Sequence, residues 1–290
     1  MFYYDITVGI PVKNGIDEIE NLIRSLFDFQ KSKIFVHVSD NKSTDGTINK
    51  LRNLEKEYKN LLVTYQNEDI GEVRNFYFIL EIQRKNPKSK YFCWMSHDDI
   101  RPHYALDKMM NHLEVNKNLI GVSSLVKRVT EDGKEISPFK PFPLLNQSSI
   151  NRLSKEWERP FSTKFYSLFV LNELPKALDM YKGDYHDQIY LDRVIAKGKI
   201  DVINEILFIY REKIVEGKIK RRKSNCKYVR KLPSFINKTF YKYNHLMLIF
   251  ENIKLCSSLN ISIFRKLYLI LLFNFYFIRN KIDNSYEPSK

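Results

Sequence analysis

The sequence predicts an α/β fold: a mostly parallel, doubly wound sheet flanked by helices, with a helical C-terminal extension. Three observations lead there. Between residues 6 and 126, short apolar runs alternate with segments whose apolar residues recur at helical spacing. The early runs stop at Asn, Asp or Gly, which let a strand turn out of a sheet. A chain of 290 residues with 43% hydrophobic content can bury the core of one large domain with an appendage.

Ile6 to Val12 reads as the first strand, stopped by Lys13-Asn14-Gly15. Asp17 and Glu20 have capping-box spacing, and Ile19, Leu22, Ile23, Leu26 and Phe27 share one helical face. Lys33 to Ser39 is the second strand, Thr47 to Tyr58 a helix and Leu61 to Tyr65 the third strand. A helix spans Glu72 to Gln83, and Tyr91 to Met95 is the fourth strand. Ala105, Leu106, Met109, Met110 and Leu113 mark the next helix, and Ile120 to Val126 a further strand. Beyond residue 130 the pattern loosens. Pro138, Pro141 and Pro143 mark a loop, Phe161 to Leu171 is rich in aromatics, and a helix begins near Asp187 and stops before Gly198. Ile200 to Tyr210 holds a strand or strand pair, and the chain reads as helical from Asn244 to Ile282. The division is a domain at 1–215 and a basic, apolar extension at 216–290.

The net charge of +14 raises the question of nucleic acid. Lys218, Lys220, Arg221, Arg222, Lys223, Lys227, Arg230 and Lys231 fall in one stretch without an acid, but no recognition motif or basic–aromatic interleaving accompanies them. Cys93, Cys226 and Cys256 stand apart, with neither metal-ligand spacing nor an even disulfide framework, and fit a reducing compartment. The N-terminus has no signal-peptide pattern, and no run reaches the roughly 18 apolar residues of a membrane span.

In open α/β sheets, ligands bind at the carboxyl ends of the strands. Asn14, Asp40, Asn67 with Glu68, and Asp98 with Asp99 all sit at such ends. The Asp98–Asp99 pair closes the apolar run YFCWM, and adjacent carboxylates there suit Mg²⁺ or Mn²⁺ beside a polyphosphate. The same acids would serve a solvated turn or a helix cap, and Asp40 would serve an Asx-turn. Trp157 and Tyr166 offer either a sugar-stacking platform or core packing.

In order, ITVGIPVKN, VHVSDNKSTDGT, NEDIGEVRN, FCWMSHDDIRP, YHDQIYLDRVIAKGK and INEILFIYR resemble family 2 glycosyltransferases of the GT-A fold, over about residues 5 to 211. The resemblance implies a metal-dependent, inverting enzyme that moves a sugar from a nucleotide-diphosphate donor to a growing glycan such as capsule or lipopolysaccharide. By resemblance, Pro11 and Asn14 line the nucleotide cleft and Asp40 bonds the base. Asn67 and Arg74 flank the nucleotide or donor, Asp98 approaches the ribose or sugar, and Asp99 ligates Mn²⁺ or Mg²⁺. Ser96 stands where many relatives carry the first acid of the D-x-D pattern. Asp187 matches the family's catalytic base, with Asp184 as its fallback. An inactive scaffold of the same fold and a basic nucleic-acid-binding protein are the alternatives.

Residues 267 to 278, LYLILLFNFYFI, are flanked by Arg265, Lys266, Arg279 and Lys281. They fit an interfacial helix on an anionic membrane surface, or equally a helix buried on the sheet or at a dimer contact. The partners implied are a nucleotide-sugar donor, a glycan or lipid-linked glycan acceptor, and no nucleic acid. The implied setting is cytoplasmic, with peripheral attachment at the inner face of the plasma membrane.

Overall fold

The computed structural model describes residues 3–27, 32–130, 133–176, 185–212, 214–215, 218–219 and 248–282. Its first half follows the predicted alternation. Strand β1 (Tyr4–Val12) lies centrally, parallel to β2 (Ile34–Asp40) on one edge and to β4 (Ser89–Trp94) on the other. β3 (Leu61–Tyr65) adds in parallel beyond β2. Helices α1 (Ile19–Phe27), α2 (Thr47–Glu57), α3 (Glu72–Lys85) and α4 (Ala105–Val115) intervene in chain order.

Strand alternation sorts the core. Ile6, Val8, Ile10 and Val12 of β1, with Tyr91, Cys93 and Met95, pack with the apolar residues of α1, α2 and α4. Phe92 and Trp94 point the other way, among Phe76, Tyr77, Ile79 and Leu80 of α3. Gly9 admits α3 on this face: a Cβ there would lie 2.9 Å from Ile79 and 3.0 Å from Phe92.

The second half is mixed. β5 (Leu119–Thr130) is not bonded to β4; the three-residue β7 (Leu168–Val170) lies antiparallel between them. β6 (Glu135–Phe139) pairs antiparallel with the far part of β5, and β8 (Lys199–Glu212) runs parallel along the other edge of β5. The order is β3-β2-β1-β4-β7-β5-β6, with β8 on β5. The predicted short strand or strand pair is thus one fourteen-residue strand with bulges against β5. A two-stranded ladder, β9 (Ile214–Val215) with β10 (Lys218–Ile219), follows.

The spacing of Asp17 and Glu20 does not produce a capping box. Glu20 pairs with Arg24 and Lys50 instead, and the Ile19 N–H reaches the Gly15 carbonyl. Helix α5 (Ser149–Glu158) lies in the segment where the pattern loosens, and it buries Arg152 and Glu156 beside Leu153 and Trp157. Polar residues on the inward face hide its period.

Helix α6 (His186–Lys197) leads into β8. The C-terminal segment forms helix α7 (residues 248–258) and α8 (Ile263–Ile282), broken around Asn260. Leu248, Cys256, Leu269, Phe273 and Phe277 join the core of Trp94, Trp157 and Leu191. Trp157 is 1% exposed, with its ring 5.1 Å from that of Phe273, so it is core and not a sugar platform. No helix among the described residues is long and apolar enough to cross a membrane.

Candidate active site

The loops at the carboxyl ends of β1, β2 and β3 are tied together by side chains. Asn14, at φ 54°, donates its N–H to Ser43 Oγ at 2.8 Å and accepts the Thr44 N–H through Oδ1 at 2.8 Å. Gly15 N–H reaches Thr47 Oγ1, and Ile16 N–H reaches Asp45. Asp69, in the β3–α3 loop, accepts from Lys13 Nζ (2.8 Å), Asn41 Nδ2 (2.9 Å) and the Gly71 N–H (3.0 Å). Burial works against its charge, but these bonds outweigh it and hold the Asp69 carboxyl below the usual range.

Asp40 ends β2 and is 1% exposed. Its Oδ1 accepts the Ser43 N–H at 3.0 Å, three residues on, so Asp40 braces its own loop but not through the two-residue Asx-turn expected as its ordinary role. Its Oδ2 is buried with no hydrogen-bond partner among the described residues. A carboxylate oxygen removed from water without a donor is costly, and a ligand N–H would offset that cost.

Past β4 the chain turns through Ser96 to Asp99. The His97 ring packs on Gly15, where a Cβ would lie 2.6 Å from His97 Cδ2, which joins this turn to the β1 loop. Ser96 Oγ lies 3.2 Å from the Tyr166 hydroxyl. Asp98 is half-buried, whereas Asp99 is 3% exposed and accepts the Arg211 N–H of β8 through Oδ1 at 3.3 Å. Arg101 is buried beneath, its guanidinium 4.8 Å from the Phe208 ring, and it donates to the Tyr166 carbonyl. Tyr166 in turn stacks on Phe208.

Tyr185 occupies the cap position of α6 with φ 65°, so Asp187 is not the cap; it sits in the first turn and accepts the Gln188 N–H. The Tyr77 hydroxyl donates to the His186 carbonyl at 2.9 Å, which fastens this turn to α3. Phe165 packs edge-on to His186 and stacks on Trp94 with ring centroids 4.4 Å apart. Because Phe165 and Tyr166 are adjacent, one 3₁₀ turn (Ser162–Tyr166) touches both the first turn of α6 and the acid-bearing turn after β4.

A sequence profile of glycosyl transferase family 2 matches residues 7–172, more than half of the chain. The chain belongs to glycosyl transferase family 2. It is a nucleotide-sugar glycosyltransferase of GT-A fold. Among solved structures, residues 1–349 of TarS from S. aureus in complex with UDP-GlcNAc align with TM-score 0.65 and 17% identity, over 95% of this chain and 73% of that one. Another structure of the same TarS fragment aligns with TM-score 0.62 and 15% identity, over 99% and 75%. The mannosyltransferase PcManGT from Pyrobaculum calidifontis, in complex with GDP-Man and Mn²⁺, aligns with TM-score 0.53 and 14% identity, over 97% and 78%. At these identities the likeness shows the shared fold. A search of curated proteins gave no match.

Pro11 of this glycosyltransferase lies in β1 opposite Ser39, one residue before the level of Asp40. Asn14 and Asp40 meet through Ser43, and Asp98 and Asp99 follow β4, the strand on the other edge of β1. Asn67 and Arg74 are both exposed, on the β3–α3 loop and the first turn of α3. Asp184 lies outside the described residues. Sequence reasoning missed Asp69, whose N-E-D-I-G context reads as an ordinary turn, and Asn75, which locks β2 by bonding Ser39 through both its Oδ1 and Nδ2.

Among the described residues, no three His, Cys, Asp or Glu side chains converge as a metal cluster. Two neighbouring carboxylates at a strand end suit instead a hard cation that completes its shell with phosphate oxygens and water. Asp98 and Asp99 fit Mn²⁺ or Mg²⁺ in that shared sense.

Proposed function

We propose that this transferase moves a sugar from a nucleoside-diphosphate donor to a hydroxyl of a growing surface glycan, with inversion and with a divalent cation. The observation that carries the reading is Asp40: a buried carboxylate at the carboxyl end of β2, already bonded to its own loop, whose second oxygen has no hydrogen-bond partner among the described residues. An ionised carboxylate oxygen only accepts, so it calls for an N–H donor, which the ring N–H of uracil, thymine or guanine supplies. TarS with UDP-GlcNAc and PcManGT with GDP-Man and Mn²⁺ support a donor of this class and a cation.

In this reading Pro11 and Asn14 border the nucleotide, and Asn67 and Arg74, the latter at the start of α3, flank the nucleotide or donor. Asp98 approaches the ribose or sugar. Asp99 would hold Mn²⁺ or Mg²⁺, which when bound supplies positive charge for the leaving diphosphate. Asp187 takes the proton of the acceptor hydroxyl as its oxygen attacks the anomeric carbon and the bond to the diphosphate oxygen breaks. One base and one displacement give inversion.

Asp40→Ala is expected to weaken nucleoside-diphosphate binding about 10- to 100-fold, the worth of a hydrogen bond to a charged group. Isothermal titration with UDP and GDP measures this. Unchanged affinity for both would leave Asp40 bracing only its loop.

The reading as a whole is tested by nucleoside-diphosphate release from UDP-, dTDP- and GDP-sugars with Mn²⁺, Mg²⁺ or EDTA. Turnover of one donor, abolished by EDTA and restored by one cation, is expected. Neither turnover nor nucleotide binding with any donor would sink it.

A further inference from the structure

Helix α8 has two apolar faces, and the fold uses one. Leu269, Phe273 and Phe277 are buried, while Phe264, Leu267, Leu271, Phe275 and Ile278 remain exposed, with Phe264 at 79% and Leu271 at 71%. Their spacing of three and four residues makes a single outward stripe, about 21 Å long at the helical rise.

The charges next to the stripe identify its occupant, and the sequence of this part of the chain is strongly basic, with fifteen Lys and Arg against one acid, Glu251, over residues 218–282. The lone acid is engaged by Arg193 and Lys254. Arg265 and Lys266 lie near one end of the stripe, and Arg279 adjoins the other; Arg265 is exposed and the other two half-exposed. An isologous contact with a second copy would press two strongly cationic surfaces together, and a nucleic acid offers no apolar layer. An anionic lipid surface offers both anionic headgroups and acyl chains.

We infer that the outward stripe of α8 docks in the plane of an anionic lipid bilayer, with its flanking cations at the headgroups. The inward face remains packed on α5 through Trp157, so the helix lies on the membrane and does not cross it. This surface does not depend on which sugar is transferred, and its test is independent of catalysis.

The full chain is sedimented with vesicles of phosphatidylcholine alone, or with about 30% phosphatidylglycerol. Wild type is expected to bind the anionic vesicles at least about tenfold more tightly, and less so as salt rises. Leu271→Glu with Phe275→Glu, both at exposed positions, is expected to lower that binding about tenfold or more with unchanged circular dichroism. Arg265→Glu with Lys266→Glu should lose a comparable factor. Three results would each overturn the inference: wild type that ignores anionic vesicles, an L271E/F275E variant that binds as well as wild type, or a lipid-free dimer that the same variant dissolves, which would assign the stripe to a second copy.

Discussion

Asp187→Asn is expected to lower kcat by about 10²- to 10⁴-fold, the usual contribution of a positioned general base, while donor affinity stays near wild type. The substitution keeps the side chain's size and its ability to accept the Gln188 N–H, so the first turn of α6 should persist. Among the described residues, the hydrogen bonds that tie the loops through Asn14, Asp40 and Asp69 do not involve Asp187. A fall in kcat without a rise in donor KM therefore separates a base from a scaffold residue. A first-turn carboxylate acting only on the helix dipole contributes about 0.3–1 kcal/mol, visible in thermal stability and not in turnover. A variant that retains more than a tenth of the wild-type kcat would shift the base to another group, with Asp184→Asn as the next substitution.

The second large effect is on stability. Lys164 and Glu156 form an ion pair at 2.5 Å with both side chains 0% exposed, and Glu156 also accepts the Phe161 N–H. Burial pushes the Lys164 ammonium below its usual range, opposed by the Glu156 charge. Lys164→Met alone strands a buried carboxylate and is expected to cost about 3–5 kcal/mol by denaturant unfolding; replacing both partners with apolar residues should recover much of that. A single variant that costs under about 1 kcal/mol would show that water reaches the pair.

Asp192 lies against the same cluster, bonded to Gln188 Nε2 at 2.8 Å. Burial chiefly, and the nearby Glu156 charge in addition, push its carboxyl up to about 7, against the bonds it receives from Trp157 and Gln188. The folded state keeps this proton while the unfolded chain releases it near the ordinary value of 3.8. Its contribution is therefore complete below about pH 4 and is lost as pH rises to about 7, and Asp192→Asn should flatten that slope.

The first four strands were legible because each is a plain apolar run followed by a helix of regular period. The second half was not, for particular reasons. β7 is three residues long between 3₁₀ turns, too short to show any alternation. β6 contains Pro138, which reads as a loop but is tolerated in a strand bonded only to β5. α5 turns an arginine and a glutamate inward. At the candidate site, acids at strand ends could be found by position alone. What position could not reveal is that Asp99 accepts from the β8 backbone, or that Tyr166 bridges towards Ser96, since both contacts join residues far apart in the chain.

The place of β7 has a further consequence during synthesis. β1 to β4 can pair in the order in which they leave the ribosome, but β5 cannot join them until residues 168–170 arrive to bridge the gap. The edge that takes β8 waits longer, for residues 199–212, and of the partners of β5 only β6, the next strand in the chain, arrives early. Through that interval a twelve-residue strand stands with open ladder positions, the feature by which nascent chains cross-pair. Lys127 and Arg128 lie within it, and their charges discourage the waiting strand from adopting a neighbouring copy as its partner.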